Sequence, residues 1–307
     1  MEIRTELIRQ LCAIPATSGD EGPMRDFILD YVKNNAASWK VQPVVHSGEG
    51  FQDCVALAFG KPRTAVFAHI DSIGFTVKYK NELVRIGSPV STPGIELLGA
   101  DSKGEVRGTL VANKNGTLHL NSNRMADPGT RLCFASDFRE KRNSIQSAYL
   151  DNRLGVYVAL ELASTLENGL ICFSCWEEHG GGTVGFLADF MTKKYQVYQA
   201  LISDITWVTE GVKAGKGAAI SLRDSGIPRK AFVDRILGIV QKSNISYQVE
   251  VEGAGGSDGT ELQKSPFPID WCFIGAPEKN VHSPNEEVHK SDIQSMLALY
   301  RLLMDTL

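Results

Sequence analysis

The sequence lacks both a long apolar run and a basic run. No stretch of its 307 residues is long and apolar enough to cross a bilayer, and the first eight residues are charged and amphipathic, unlike the apolar core of a signal peptide. We therefore expect a cytoplasmic protein with no membrane partner. The net charge of -4 and the absence of a Lys/Arg cluster also argue against a nucleic-acid partner.

Cysteine is sparse as well. The six cysteines are scattered, mostly inside apolar runs, which is typical of reduced packing residues and not of a disulfide framework. Cys172 and Cys175 form a C-x-x-C pair, but the pair lies inside a predicted strand and no second pair accompanies it. We interpret it as core packing and not as a zinc or redox motif.

What the sequence does contain is an alternation of helical and strand-like segments. With 43% hydrophobic and 22% charged residues, the chain is long enough for one large α/β domain, with or without a smaller insert. A helical period is found at 2–13, 23–32, 149–163, 183–192 and 228–242, and a last helix, capped by Ser291, is predicted to follow. Strand-like runs occupy 41–46, 54–59, 64–71, 170–176, 200–207, 247–251 and 269–275.

The texture differs between residues 77 and 145. Short alternating runs are separated there by Gly, Pro, Asn and Asp, and no helical period is found. We predict a small all-β domain at 77–145, inserted into a larger α/β domain formed by 1–76 and 146–307. Its expected role is oligomerisation or walling off a site.

The most informative stretch is the apolar run 170–176, which ends in Glu177 and Glu178 and is followed by glycines. Neighbouring side chains on a strand point to opposite faces, so one carboxylate could bind a metal while the other handles a proton. Taken alone, such a pair is more often the solvated entry to a loop.

Similar polar residues occur near the ends of other elements. His69 and Asp71 project to the same side of a strand, so the carboxylate could hold one imidazole nitrogen while the other faces a metal. Asp151 begins a helix, where an acid can also be a simple cap. Asp204 lies amid apolar neighbours and needs a partner, and His282 follows a strand.

Together these positions predict a metal site, because ligands collect at strand ends in open α/β sheets. Two imidazoles and three carboxylates suit two divalent zinc-like ions with one bridging carboxylate. Two ions and one hydroxide would balance the three carboxylates in charge, and such a pair of ions is suited to hydrolysis. Glu177 then remains free to move the proton. The five predicted ligands are His69, Asp151, Glu178, Asp204 and His282.

Six motifs follow one another along the chain: Thr17-Ser-Gly-Asp-Glu21, Ala68-His-Ile-Asp-Ser-Ile-Gly-Phe75, Leu150-Asp-Asn-Arg153, Glu177-Glu178, Gly255-Gly-Ser-Asp258 and His282-Ser-Pro-Asn-Glu286. They carry a resemblance to the glutamyl and tetrahedral aminopeptidases, a family of dinuclear zinc or cobalt peptidases, and this resemblance runs nearly end to end. It implies a three-layer, mixed-sheet, zinc-exopeptidase-like α/β domain with a small all-β insert, acting on a peptide substrate, with a homo-oligomer built through the insert.

The resemblance also implies roles for single residues. His69 and Asp204 would hold one metal, Glu178 and His282 the other, and Asp151 would bridge them. Two further implied roles are an orienting role for Asp71 towards His69 and a general-base role for Glu177. Asp258 would lie in a loop beside the active site, and the peptide bond after Asp151 would be cis.

The chain departs from the family at two places. Ser72 stands where the family usually has Glu, and His179-Gly-Gly-Gly-Thr-Val replaces Val-Gly-x-Arg-Gly-Ala after the carboxylate pair. Neither change removes a predicted ligand. They leave the substrate preference open, and the short insert leaves the size of the oligomer open.

Two other interpretations remain. A related dinuclear carboxypeptidase or amide deacylase shares the order of ligands, but its lid usually interrupts the chain between the fourth and fifth ligands. Here the β-rich insert falls between His69 and Asp151, which favours the aminopeptidase. A catalytically inactive relative acting as a binding protein is the second alternative, and the presence of Glu177 with all five ligands argues against it.

Overall fold

Two β-sheets form the framework of the protein, whose computed structural model describes residues 3–307. The helix predicted at 2–13 extends by one residue, Glu2, outside the described part of the chain. The α-helices within 3–307 are α1 (Thr5–Cys12), α2 (Gly22–Asn35), α3 (Leu150–Ala163), α4 (Val184–Tyr195), α5 (Lys230–Val240), α6 (Asp258–Lys264) and α7 (Lys290–Thr306).

The strands alternate with these helices except in the middle of the chain, where strand follows strand. They are β1 (Val44–Gly48), β2 (Gln52–Phe59), β3 (Ala65–His69), β4 (Gly74–Val77), β5 (Leu83–Ile86), β6 (Glu96–Asp101), β7 (Gly104–Ala112), β8 (Leu118–Ser122), β9 (Arg131–Phe134), β10 (Arg139–Glu140), β11 (Ser144–Ser147), β12 (Gly169–Ser174), β13 (Gln199–Trp207), β14 (Ala218–Arg223), β15 (Tyr247–Val251), β16 (Asp270–Lys279) and β17 (Glu286–His289).

The larger sheet has the order β1-β2-β12-β3-β13-β16-β17-β11-β10, and β14 and β15 extend it beside β16. Its central strands β12, β3, β13 and β16 are mutually parallel. Every residue of β3 and β12 is buried, which is expected of parallel strands covered by helices on both faces. Helix α3 contacts α1 and α7, and α7 also contacts α5, so these four helices pack as one group. Helix α4 packs against α6 in a second group. The predicted three-layer α/β fold with a mixed sheet is confirmed.

The smaller sheet is antiparallel, with the order β5-β4-β9-β6-β7-β8. It has its own apolar core, which includes Phe75, Leu97 and Leu132. Its strands run from Gly74 to Phe134, whereas β10 and β11 join the larger sheet through β17. The division into domains at residues 77 and 145 stays a prediction.

Several local features differ from the sequence interpretation. Strand β14 and helix α6 were not predicted. Helix α6 begins inside the segment 253–259, whose four glycines favour a loop. The cap of α7 is His289, whose Nδ1 accepts a hydrogen bond from the Ser291 backbone N–H at 3.2 Å, so the cap assignment to Ser291 was wrong. All six cysteines are buried and unpaired, as predicted. Within residues 3–307, the helices are too short or too polar to span a bilayer.

Candidate metal centre

Three neighbouring parallel strands bring candidate ligands to one edge of the larger sheet. His69 ends β3 and is paired in register with Ser174, the last residue of β12. On the other side, Ile202 of β13 pairs with Phe67, so Asp204 lies level with His69 two residues further on. The carboxyl ends of parallel strands meet at the same edge, which is where open α/β sheets bind ligands.

The five predicted ligands form two groups that share Asp151. His69, Asp151 and Asp204 offer ligand atoms within 4.8 Å of one another, and so do Asp151, Glu178 and His282. Asp151 belongs to both groups because its two oxygens face different imidazoles. Its Oδ1 lies 3.3 Å from His69 Nε2, and its Oδ2 lies 3.3 Å from His282 Nε2.

The spacing of these atoms suits metal ligands. His69 Nε2 is 3.6 Å from Asp204 Oδ2, and His282 Nε2 is 3.2 Å from Glu178 Oε2. A tetrahedral ion with ligand bonds of about 2.0–2.1 Å separates its ligand atoms by about 3.3 Å. In addition, the buried Oε1 of Glu178 has no hydrogen-bond partner. Buried carboxylate oxygens without donors are expected where a cation binds, so the residues fit a metal ion.

The shifted pKa values of the candidate ligands also indicate that positive charge is stabilised between them. Burial lowers the pKa of His69, but Asp204 and Asp151 outweigh it and raise the pKa well above the usual value. Likewise, burial opposes protonation of His282, yet Asp151 and Glu178 raise its pKa to about 11. Burial, followed by the charge of Asp151, raises the pKa of Glu178 to about 7. Divalent cations would supply the positive charge that these carboxylates otherwise draw from protons.

Asp71 connects His69 to the turn that carries the glutamate pair. Its Oδ1 lies 3.3 Å from His69 Nδ1, and its carboxylate accepts hydrogen bonds from the backbone N–H groups of Glu177 (3.0 Å) and Glu178 (3.1 Å) and from the Ser18 hydroxyl (2.6 Å). Burial raises the pKa of Asp71, but His69 and these donors outweigh it and keep the pKa low. One carboxylate therefore holds the glutamate turn by hydrogen bonds and places its negative charge beside the His69 imidazole.

Glu177 lies beside the two groups without joining either. It lines a cavity of about 350 Å³ together with the five candidate ligands. Burial raises its pKa well above the usual carboxyl value; His69 opposes this shift and Glu178 adds to it. A carboxylate with a raised pKa next to a reaction cavity is suited to accept and return a proton near neutral pH.

The other sequence candidates fall outside the cavity. Asp258 is buried at the start of α6, where its Oδ2 accepts a hydrogen bond from the Ser174 hydroxyl, and burial raises its pKa to about 7. The loop before it reaches the cavity through Gly255 and Gly256. Asp258 thus anchors this loop to β12. The expected cis peptide bond between Asp151 and Asn152 is present.

The two departures from the family pattern both have structural partners. The Ser72 hydroxyl donates to the Ala16 carbonyl at 3.2 Å, which ties the first loop to the end of β3. His179 Nδ1 accepts a hydrogen bond from the Gly87 N–H at 3.1 Å. The altered segment therefore contacts the loop that follows β5 of the smaller sheet. Neither residue lies among the ligand atoms.

Some residues near the centre had no role in the sequence interpretation. Glu286 is fully buried, and its carboxylate accepts hydrogen bonds from the backbone N–H groups of His282 (3.0 Å) and Asp151 (3.3 Å). The sequence signal that could have identified Glu286 was its position four residues after the predicted ligand His282. Ser88, from the predicted insert, also lines the cavity, and no motif marks it.

An acidic wall, defined as Asp224, Glu250 and Glu252, completes the cavity beside Trp207. Glu250 is only 4% exposed and accepts a hydrogen bond from the Thr206 hydroxyl. No Lys or Arg lines the cavity, and no ion pair joins these three carboxylates to a cation of residues 3–307. The wall therefore presents three carboxyl groups to a bound molecule. Burial raises the pKa of Asp224 and of Glu250, and the charge of Arg223 opposes part of the shift in the pKa of Asp224.

Comparison with known proteins identifies the class. The sequence model of the M42 glutamyl aminopeptidase family matches residues 121–299. The chain belongs to this family, whose members are metal-dependent peptidases. Over 96% of both chains it is 26% identical to a protein of Acetivibrio thermocellus provisionally named an aminopeptidase. It is 22% identical to the provisionally named aminopeptidase FrvX of Escherichia coli K12, over 98% of this chain and 95% of the other.

Solved structures share the fold. The aminopeptidase APDkam598 of Desulfurococcus kamchatkensis superimposes with a TM-score of 0.87 at 19% identity, covering 98% of this chain and 94% of the other. The TET1 peptidase of Pyrococcus horikoshii gives a TM-score of 0.83 at 21% identity, with 99% of both chains covered. Family and relatives together support aminopeptidase function.

Proposed function

We propose that the protein removes N-terminal residues from peptides, using two divalent ions, most favourably zinc with cobalt as the alternative. His69 and Asp204 would hold one ion, Glu178 and His282 the other, and Asp151 would bridge them. The observation that carries the proposal is the arrangement of Asp151, whose two oxygens each face a different histidine at 3.3 Å. That geometry suits a bridging carboxylate.

The residues of the chain divide the work around the ions. Bound divalent ions supply a nucleophilic water at neutral pH and polarise the peptide carbonyl. Glu177 accepts the proton of the attacking water on its carboxylate and returns it to the leaving amine. Asp71 holds the Glu177 backbone N–H by a hydrogen bond and places its charge 3.3 Å from the His69 imidazole, so one carboxylate contacts both the base and a ligand.

The cavity supports an aminopeptidase over the carboxypeptidase or deacylase alternative. A carboxypeptidase needs a cationic side chain such as Arg or Lys for the terminal carboxylate of its substrate, and among residues 3–307 no Arg or Lys lines the cavity. An aminopeptidase instead has to bind a free α-ammonium group. The acidic wall and Glu177 provide carboxylates for such a cation.

The experiment is a comparison of peptides with free and with acetylated N-termini. We expect hydrolysis of the free peptide only, loss of activity with a chelator, and recovery when zinc or cobalt is added back. Cleavage of the acetylated peptide from its C-terminus would favour the carboxypeptidase. Absence of any hydrolysis with both metals present would favour the inactive binding protein.

We also propose a homo-oligomer assembled through the segment 77–145. The support is twofold. The Pyrococcus horikoshii TET1 peptidase is described as assembling into a tetrahedron or a large octahedral shell. In addition, the segment exposes four large apolar side chains, namely Tyr79, Val84, Val90 and Met125, each at least 40% accessible.

A further inference from the structure

The smaller sheet reaches the candidate metal centre through one short segment. We define the strap as Gly87–Val90, which follows β5 and crosses to the cavity. Its hydrogen bonds reach His282 and His179, two residues at the edge of the larger sheet. The strap therefore links two sheets at the place where Glu178 and His282 lie.

The strap holds His282 by its side chain and by its backbone. The Ser88 hydroxyl lies 2.7 Å from His282 Nδ1, and the Val90 N–H donates to the His282 carbonyl at 2.8 Å. The opposite ring nitrogen, Nε2, faces Asp151 and Glu178. If Nε2 offers its lone pair to a cation, Nδ1 carries the proton and donates it to Ser88 Oγ.

Gly87 brings the strap against Glu178. Its φ of +65° lies in the left-handed region, and a Cβ at this position would come within 3.0 Å of the Glu178 carbonyl oxygen and 3.4 Å of Glu178 Oε2. Both features favour glycine at this position. The backbone of the strap thus packs directly on the second candidate ligand of the same group.

The other group is supported differently. His69 Nδ1 lies 3.3 Å from Asp71 Oδ1 without hydrogen-bond geometry, and Asp71 follows β3 of the larger sheet. His282 Nδ1 instead lies 2.7 Å from the neutral hydroxyl of Ser88, which follows β5 of the smaller sheet. A negative charge beside a ligand imidazole makes it more basic than a neutral hydroxyl does. The two groups should therefore bind ions with unequal strength.

We propose that Ser88 is a positioning residue that sets the tautomer of His282, and that the ion held by Glu178 and His282 is the weaker-bound of the two. The strap makes the smaller sheet a structural part of the metal centre. This inference depends on the proposed dinuclear centre.

The test is a metal titration of the full chain against a chromophoric chelator, with Zn²⁺ or Co²⁺ as the probe. Wild type should bind two ions with distinct affinities. Ser88→Ala should weaken only the weaker step, by about 10-fold or more, and Ser88→Thr, which keeps the hydroxyl, should restore it. Ser91→Ala is the matched control, because the Ser91 hydroxyl contacts Arg85 and the Pro89 carbonyl but not His282.

The outcomes separate the two proposals. Fewer than two ions bound to wild type would refute the dinuclear centre itself. Two ions on wild type with unchanged binding in Ser88→Ala, equal weakening of both steps, or the same loss in Ser91→Ala would overturn the role of Ser88 alone. Ser88 is exposed, so the metal-free melting temperature should not change. A large drop there would assign Ser88 a general structural role and also overturn the proposal.

Discussion

Asp151 connects the two groups of candidate ligands, because each of its carboxylate oxygens faces a different histidine. It sits at the start of α3, where an acid is also a favoured cap, so its position alone does not reveal a metal role. The metal role is indicated instead by the two histidines beside its carboxylate, His69 and His282. Glu286, also buried, holds the Asp151 backbone N–H and that of His282.

Glu177 provides the most direct test at the scale of single residues. Replacing Glu177 with Gln removes the proposed base while keeping the shape of the side chain and both metal groups. We expect activity on a free-amino peptide to fall by about 100-fold or more, since general bases contribute factors of about 10² to 10⁴. The measurement is kcat together with the metal content of the same preparation.

A matched control for this substitution is Glu261→Gln. Glu261 lies against the same turn, next to Gly181, but pairs with Lys264 and does not line the cavity. It should keep near-normal activity. Unchanged kcat in Glu177→Gln, with both ions bound, would refute the assignment of Glu177 as the base.

The sequence revealed the candidate metal ligands more readily than the residues that hydrogen-bond to those ligands. His69, Asp151, Glu178, Asp204 and His282 stand out because charge near the end of an apolar run needs a physical reason. Ser88 did not stand out. It lies in the strap after β5, and its hydroxyl contacts His282, a residue 194 positions away in the chain. Serine alone carries no sequence pattern.

At the scale of elements, the central strands were predictable and some peripheral ones were not. The runs that became β3, β12 and β13 are continuous and apolar because helices cover both of their faces. Helix α6 was missed because the glycine-rich segment 253–259, which includes the first two residues of the helix, was interpreted as a loop. A Cβ on Gly259 would come within 2.3 Å of the Trp271 ring, so close packing and not a turn explains that glycine.

The acidic wall of the cavity leads to a prediction on substrate charge. Asp224, Glu250 and Glu252 line the cavity, and among residues 3–307 no Lys or Arg lines it with them, so we expect an acidic N-terminal side chain to be disfavoured there. With a panel of aminoacyl-nitroanilides, we expect kcat/KM for Glu and Asp derivatives to be about tenfold or more below that for neutral derivatives of similar size.

Glu252→Gln tests whether the wall causes this difference. Glu252 is only partly buried, so the substitution removes one charge at low structural cost and should narrow the gap between acidic and neutral substrates. Val251→Gln, one position earlier and 64% exposed outside the cavity, should leave the gap as it is. Glu derivatives turned over as fast as neutral ones would contradict the prediction.

At the scale of the whole molecule, the α/β class followed from the alternation of strands and helices, and the three-layer arrangement from the family resemblance. The pairing of distant strands did not follow from the alternation. Strands β10 and β11 follow the smaller sheet in sequence yet join the larger one through β17. Such pairing depends on contacts across more than a hundred residues. Local composition carries little information about it.

The prediction about the whole molecule concerns its assembly into a homo-oligomer. We expect sedimentation equilibrium to give a mass that is a multiple of the 33.5 kDa chain. The double variant Tyr79→Ser with Val84→Ser should reduce the mass, because it removes apolar side chains that are 71% and 51% exposed within the segment 77–145. Ile227→Ser, at 59% exposure outside this segment, is the control. A wild-type mass of 33.5 kDa would contradict the prediction.

The central claim is that five side chains hold two divalent ions with Asp151 between them, and anomalous X-ray scattering from crystals grown with zinc or cobalt tests it most directly. The account predicts two anomalous peaks, one contacting His69 and Asp204, the other contacting Glu178 and His282, and both contacting Asp151. Saturating metal without these peaks, or a pair of peaks that does not share Asp151, would contradict it.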